Sequence, residues 1–247
     1  MEKLIFEKNY EVNSVNINMS KRLGLFGMLG ILQDAGMLHA EELGVGLEDM
    51  IRNNAFWVFT QQKLIMNRWP AWKDTVRIVT RPRAIDGLKA YRDYEIFIGD
   101  EKIGESVATF MVLNGETRKP VKPQIDTEIH KNLPESTVGF IPEKLIAPDD
   151  LKVENTIVVQ NSDLDMNRHV NNTKYAQWIL NTIPIKYHHN HVVKEFNINF
   201  TAEARLGDEI DILVTIVEED FTFYQGVRKS DNKKIFNASI IGEYLND

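Results

Sequence analysis

The sequence predicts an α+β protein in which one plan is used twice. Three observations lead there. Two stretches, 23–43 and 172–183, place apolar residues at three- and four-residue spacing. Each is followed by four strand-like runs with turn signals between them and no further helical pattern. The two halves also align in order: Trp72-Lys73-Asp74-Thr75 falls where Leu206-Gly207-Asp208-Glu209 falls, and Lys102-Ile103 matches Lys234-Ile235. A helix followed by a meander implies an antiparallel sheet, not alternating βαβ units.

The bulk composition suits that plan. A chain of 247 residues holds one large domain or two small ones. Hydrophobic residues at 43% and charged residues at 26% are ordinary for a globular protein that buries a core without staples. The absence of cysteine excludes a disulfide scaffold, a thiolate zinc site and a cysteine nucleophile. A net charge of −7 argues against general nucleic-acid binding. No window reaches the ~18 apolar residues that span a bilayer. The start, MEKLIFEKNYEVN, lacks the basic and apolar regions of a signal peptide, so a reducing cytoplasm is expected.

In the first half, Leu25, Met28, Leu29, Leu32 and Gly36 mark the helical stripe, with Ser20 as N-cap and Gly44 as stop. Phe26, Met28, Leu29 and Met37 read as core or as the lining of a tunnel. Strands are expected at 55–66, 74–85, 89–99 and 102–113, separated by Trp-Pro, Asp-Gly and Gly-Asp turns. Arg81, Arg83, Lys89 and Arg92 read as a steering patch for an acidic partner or as a solvated strand edge. Residues 114–150, rich in proline and charge, lack periodicity and read as connection. The division expected is 1–130, a linker at 131–150, and 151–247.

In the second half, Tyr175, Trp178, Ile179 and Thr182 share a helical face that Pro184 ends. Strands are expected at 193–204, 208–220, 221–230 and 234–245, with Ile210, Ile212, Val214 and Ile216 alternating as in a half-buried strand. His188, His189 and His191 read as an exposed loop in preference to a metal site, since no acidic cluster or cysteine accompanies them.

The chemistry lies at the entrance to the second helix, SDLDMNRHVNN. Read as extended chain, Asp165, Asn167 and His169 form one polar row. Asn171 or Asn172 would cap the helix, whose first backbone N–H groups form a cradle for an oxyanion. An acid, an amide and an imidazole beside such a cradle are the parts for acyl transfer to water. The first helix is preceded by VNSVNINMSKR, with no acid or histidine, so the row is not a general requirement for starting such a helix. One site in the second half is expected, with the first half supplying a pocket.

The segment SDLDMNRHVNNTKYAQWIL resembles the catalytic segment of the plant and bacterial acyl-acyl carrier protein thioesterases. Their pattern is matched at Asp165, Asn167, His169, Val170, Asn171, Asn172, Tyr175, Trp178 and Ile179. The resemblance covers nearly the whole chain. It implies two tandem hotdog domains, each a long helix wrapped by an antiparallel sheet. It also implies an acidic catalytic residue downstream, which here is Glu203 in NFTAEARLGD. Many plant members carry a cysteine beside it; this chain has Ala204. Plant members also carry a plastid transit peptide, and its absence here suggests a prokaryotic, cytosolic protein. The activity implied is hydrolysis of fatty acyl-carrier-protein thioesters to free acid and carrier protein, ending fatty-acid synthesis. Carrier protein is then the partner, water the second substrate, and no metal or cofactor is expected. Two alternatives stand beside this: an acyl-CoA thioesterase of the same fold, and a non-enzymatic acyl-binding hotdog protein. A monomer or homodimer is expected, because a tandem repeat supplies the sheet pairing that single-domain relatives obtain by dimerising.

Overall fold

The computed structural model describes residues 4–123, 132–133, 135–218 and 220–244. Parts of the expected linker, at 124–131 and 134, and the strand positions 219 and 245 lie outside the described residues. The first half contains β1 (Phe6–Glu11), α1 (Leu25–Glu42), α2 (Leu47–Arg52), β2 (Ala55–Met66), β3 (Thr75–Pro82), β4 (Lys89–Ile98), β5 (Glu101–Asn114) and the short β6 (Pro120–Val121). The second contains β7 (Lys152–Val158), α3 (Asn172–Leu180), α4 (Ile185–Asn190), β8 (His191–Phe200), β9 (Glu209–Glu218), β10 (Phe221–Arg228) and β11 (Lys233–Tyr244). The α+β plan is therefore observed, and every meander strand is present within a few residues of its expected limits.

All the strands join one antiparallel sheet in the order β1-β3-β4-β5-β2-β8-β11-β10-β9-β7, with β6 added to β5. Outward from the β2–β8 seam the two halves have the same order. That seam pairs Gln61 with Asn199 through Ile65 with Glu195. It is reinforced by the Lys63–Glu195 ion pair at 2.9 Å and by Phe59 against Phe200, with ring centroids 5.3 Å apart.

The long helices α1 and α3 pack against each other on one face of this sheet, and a single apolar cluster runs beneath both. The spacing in α1 explains its seat: Leu25, Met28, Leu29, Leu32, Ala35 and Gly36 are buried, while Phe26 and Met37 point outward. Gly36 is required for contact, because a Cβ there would stand 2.5 Å from the Tyr94 hydroxyl on β4. Gly44, at φ +67°, stops the helix as expected. Ser20 is not its cap. Gly24 takes that position, and the Ser20 hydroxyl donates to the carbonyl of His188.

On β8, Phe196 and Ile198 face the helices, so Asn197 and Asn199 face the other side. The connection between the halves crosses that side and is stitched to it. Leu145 N–H donates to Asn199 Oδ1 at 2.6 Å, Asn199 Nδ2 to Glu143 O at 3.0 Å, and Asn237 Nδ2 to Leu145 O at 3.1 Å.

Several expectations are corrected. The second helix ends at Leu180, and Pro184 begins a further helix, α4, which carries His188 and His189. The histidines are thus not a loop. His188 contacts the carbonyl of Leu180, and His191 packs between Tyr187 and Tyr244. No cluster with metal-holding composition occurs among the described residues. The apolar alternation of β9 outruns the core: Ile210 and Ile212 are buried but Ile216 is exposed. No helix among the described residues is long and apolar enough to cross a membrane.

Phe196 is fully buried beside the seam. Phe196→Ala should lower the unfolding free energy by about 3–5 kcal/mol, because the helices and sheet cannot both collapse into the void. The midpoint of urea denaturation measures this.

Candidate active site

The polar segment before α3 is a turn, not the extended row read from sequence. Leu164 and Val170 form an isolated antiparallel bridge, and Asp165 N–H donates to His169 O at 2.8 Å. Asp165 Oδ1 closes the turn by accepting the N–H groups of Asn167 at 2.8 Å and His169 at 3.2 Å. Arg168 takes the left-handed conformation, φ +63°, that such a tight loop demands.

Asn171 is a cap. Its Oδ1 accepts from Thr173 N–H at 3.0 Å, and its own N–H donates to Asp163 O at 2.8 Å. Its amide is therefore already occupied. The N–H of Asn172 meets no acceptor among the described residues and sits at the positive end of α3. The carboxamides of Asn167 and Asn172 likewise have no protein partner among the described residues, and both line a large cavity.

Glu203 lies beyond the end of β8, on the β8–β9 connection, and not on a strand as expected. Its carboxylate is 3.4 Å from His169 Nε2, 3.3 Å from Arg118 Nη2 and 3.6 Å from Arg205 Nη2. The first distance is slightly longer than an ordinary hydrogen bond. The next residue locks this arrangement. Ala204 O accepts from Val170 N–H at 3.3 Å, and the Ala204 backbone hydrogen-bonds the Tyr175 hydroxyl on α3. Burial raises the Tyr175 pKa, and the Ala204 hydrogen bond opposes that rise. Loop, helix and acid are thus held to one residue.

The cavity has a volume of about 1270 Å³, above the roughly 300–1,000 Å³ usual for small-molecule sites. Asp165, His169 and Glu203 line it from the second half, and Leu29, Met37, Phe56, Phe59 and Phe110 from the first.

In the basic run of the first half, Lys89 is exposed, but the three arginines are engaged within the protein. Arg92 is buried, where Nη1 donates to His39 Nδ1 at 2.8 Å and to Thr80 Oγ1 at 3.3 Å. Since a guanidinium only donates, His39 Nδ1 is the acceptor. Burial lowers the Arg92 pKa and pushes Tyr94 up to about 12. Arg81 pairs with Glu95 at 2.7 Å, and Arg83 pairs with Asp93 while also holding the carbonyls of Val138 and Phe140. The run is not a sheet edge, since β1 and β5 flank the pair β3–β4.

The acyl-ACP thioesterase N-terminal domain family matches residues 3–133, and the acyl-ACP thioesterase C-terminal domain family matches residues 146–242. The chain belongs to the acyl-ACP thioesterase family. A palmitoyl-acyl carrier protein thioesterase of Gossypium hirsutum is 24% identical over 236 residues, covering 88% of this chain and 56% of the relative. A dodecanoyl-[acyl-carrier-protein] hydrolase of Cinnamomum camphora is 25% identical over 232 residues, covering 86% and 60%. This family member thus spans about three fifths of the length of those two curated relatives. Among solved structures, an acyl-ACP thioesterase from Bacteroides thetaiotaomicron superposes with a TM-score of 0.84 at 21% identity over 98% of this chain and 99% of the other. The 12:0-ACP thioesterase from Umbellularia californica gives 0.86 at 20% identity over 98% of each. These likenesses show a shared fold.

Arg118 is the site residue that sequence reasoning missed, since its segment reads only as a turn. For the lock at Ala204, Tyr175→Phe removes the acceptor of a buried amide and should cost about 1–3 kcal/mol. A lowered urea midpoint with an unchanged slope would report it.

Proposed function

We propose that this chain hydrolyses fatty acyl thioesters of acyl carrier protein, giving free fatty acid and carrier protein. Family membership supports the substrate class. The observation that carries the reading is the His169–Glu203 pair at 3.4 Å, opening on a cavity of about 1270 Å³ whose apolar lining includes Phe56, Phe59 and Phe110 of the other half.

In this reading the acyl chain lies against Phe56, Phe59 and Phe110, and the thioester carbonyl meets the free N–H of Asn172 and the Asn167 carboxamide. Water attacks the carbonyl carbon, and its proton passes to Glu203. The C–S bond breaks as the tetrahedral intermediate collapses, and the leaving thiolate takes a proton from His169, to which Glu203 passes on the proton it took from water. Asp165 organises the loop. A scheme in which Asp165 attacks to form an anhydride is the rival, but Asp165 Oδ1 already accepts two loop amides. The strand order, mirrored about the β2–β8 seam, supports two tandem hotdog domains, with a first domain to about residue 130, a connection, and a second from about 151. Because the seam lies within one chain, the sheet needs no second copy to be continuous.

Wild-type protein should release free acid from acyl-carrier protein with a higher kcat/KM than from the matched acyl-CoA. The reverse ranking would make it an acyl-CoA thioesterase. Equal activity in wild type and a His169→Ala, Glu203→Ala double variant would make it an acyl-binding protein. Glu203→Gln should lower kcat by roughly 10²–10⁴-fold. In a single turnover in ¹⁸O-water, label should enter the fatty acid and not the Asp165 carboxylate; label on the enzyme would sink direct attack by water.

A further inference from the structure

We propose that Arg118, contributed by the first half, is a positioning residue for the Glu203 carboxylate of the second. This rests on the hydrolytic reading above. The two carboxylate oxygens have different partners: Oε1 accepts from Arg118 Nη2 at 3.3 Å, while Oε2 faces His169 Nε2 at 3.4 Å. Fixing one oxygen fixes where the other points. Arg205 also reaches Oε2, at 3.6 Å, but its side chain is 67% exposed.

Arg118, in contrast, is held at both ends. Its guanidinium lies over the Phe56 ring, 4.4 Å from the centroid, and Phe56 is part of the cavity wall. Its backbone belongs to a tightly built turn. Asn114 Oδ1 accepts from the N–H groups of Glu116 at 3.2 Å and Thr117 at 2.8 Å, and Asn114 O accepts from Arg118 N–H at 3.0 Å. Gly115 N–H donates to Asn54 O at 2.7 Å, and a Cβ on Gly115 would stand 2.2 Å from Asn54 Oδ1. Within this turn Arg118 takes φ +55°, a left-handed conformation unfavourable for any residue but glycine. The turn holds this backbone in place and so sets the direction in which the side chain leaves it. Arginine suits the position because a planar guanidinium stacks on Phe56 and reaches the carboxylate at once, which an ammonium does not.

Two variants of the full chain test this. Arg118→Gly deletes the side chain and suits φ +55°, so the turn survives. Arg118→Lys keeps the charge and loses the stack. Arg118→Gly should lower kcat on acyl-carrier protein by roughly 10²-fold with KM nearly unchanged, as misplacing a reacting group does. The urea midpoint should stay level or rise, since a half-exposed ion pair adds little stability. Arg118→Lys should recover only part of the rate. In a Glu203→Gln background, Arg118→Gly should cause no further loss, because the group it aims is gone. Unchanged kcat, an equal loss in both backgrounds, or a kcat loss that tracks a fallen midpoint would each overturn the proposal. Wild-type protein without turnover on any thioester would overturn the hydrolytic reading and this inference together. An active wild type beside an unimpaired Arg118→Gly overturns the inference alone.

Discussion

The antiparallel seam between β2 and β8 is the constraint from which the site follows. In that ladder each step back along β2 is a step forward along β8. The ladder ends at Gln61 opposite Asn199, and Glu203, three residues past the end of β8, is joined to the first half by Arg118, which lies over Phe56 of β2. Nothing else in the local sequence of either strand requires this meeting. A slip of one residue would turn Phe196 and Ile198 away from the helices and Asn197 and Asn199 into the core. The apolar pattern of β8 therefore fixes the register, and the register delivers the carboxylate to the mouth of the first half's cavity. The same seam sets α1 and α3 side by side, so both halves line one cavity.

The regular parts of this fold were legible because their signals are local. The α1 stripe and the meander strands need only apolar period and turn residues. The edge strands were harder. β1, FEKNYE, and β7, KVENTIV, end the sheet and carry charged and polar residues that discourage further pairing, and neither is among the strands expected from sequence. The charged run at 80–92 misled for the opposite reason. A buried guanidinium held by a histidine and a hydroxyl looks, in sequence, like any solvated cation. Arg118 was invisible because its partner is 85 residues away and only the seam brings them together.

Ala204 shows how closely folding and chemistry are joined at this site. It is fully buried, and its backbone holds Val170 on one side and Tyr175 on the other. Its neighbours Ala202, Glu203 and Arg205 line the cavity. A reactive side chain at 204 would point into packed structure while Glu203 points at the imidazole. The site is thus built around the carboxylate, and the residue after it acts as the rivet.

The polar stretch before α3 is neither all cap nor all catalyst, and the division follows from backbone demand. A tight turn leading into a helix leaves several N–H groups without helical partners. Asp165 and Asn171 satisfy these with short side chains, and the Oδ1 of each is occupied in doing so. Asn167, His169 and Asn172 are then set by a loop already closed by others, with their side chains left toward the cavity. Because the fold consumes some of the polar groups, the remainder are aimed. The first helix is entered through the same kind of turn, in which Ile17 bridges Leu23, Asn18 Oδ1 accepts the N–H groups of Ser20 at 3.0 Å and Arg22 at 3.1 Å, and Lys21 takes φ +55°; but Ser20 and Arg22 stand where Asn167 and His169 do. The two entrances thus share a backbone turn and differ in the side chains it carries, and the polar groups proposed to act lie at the second alone.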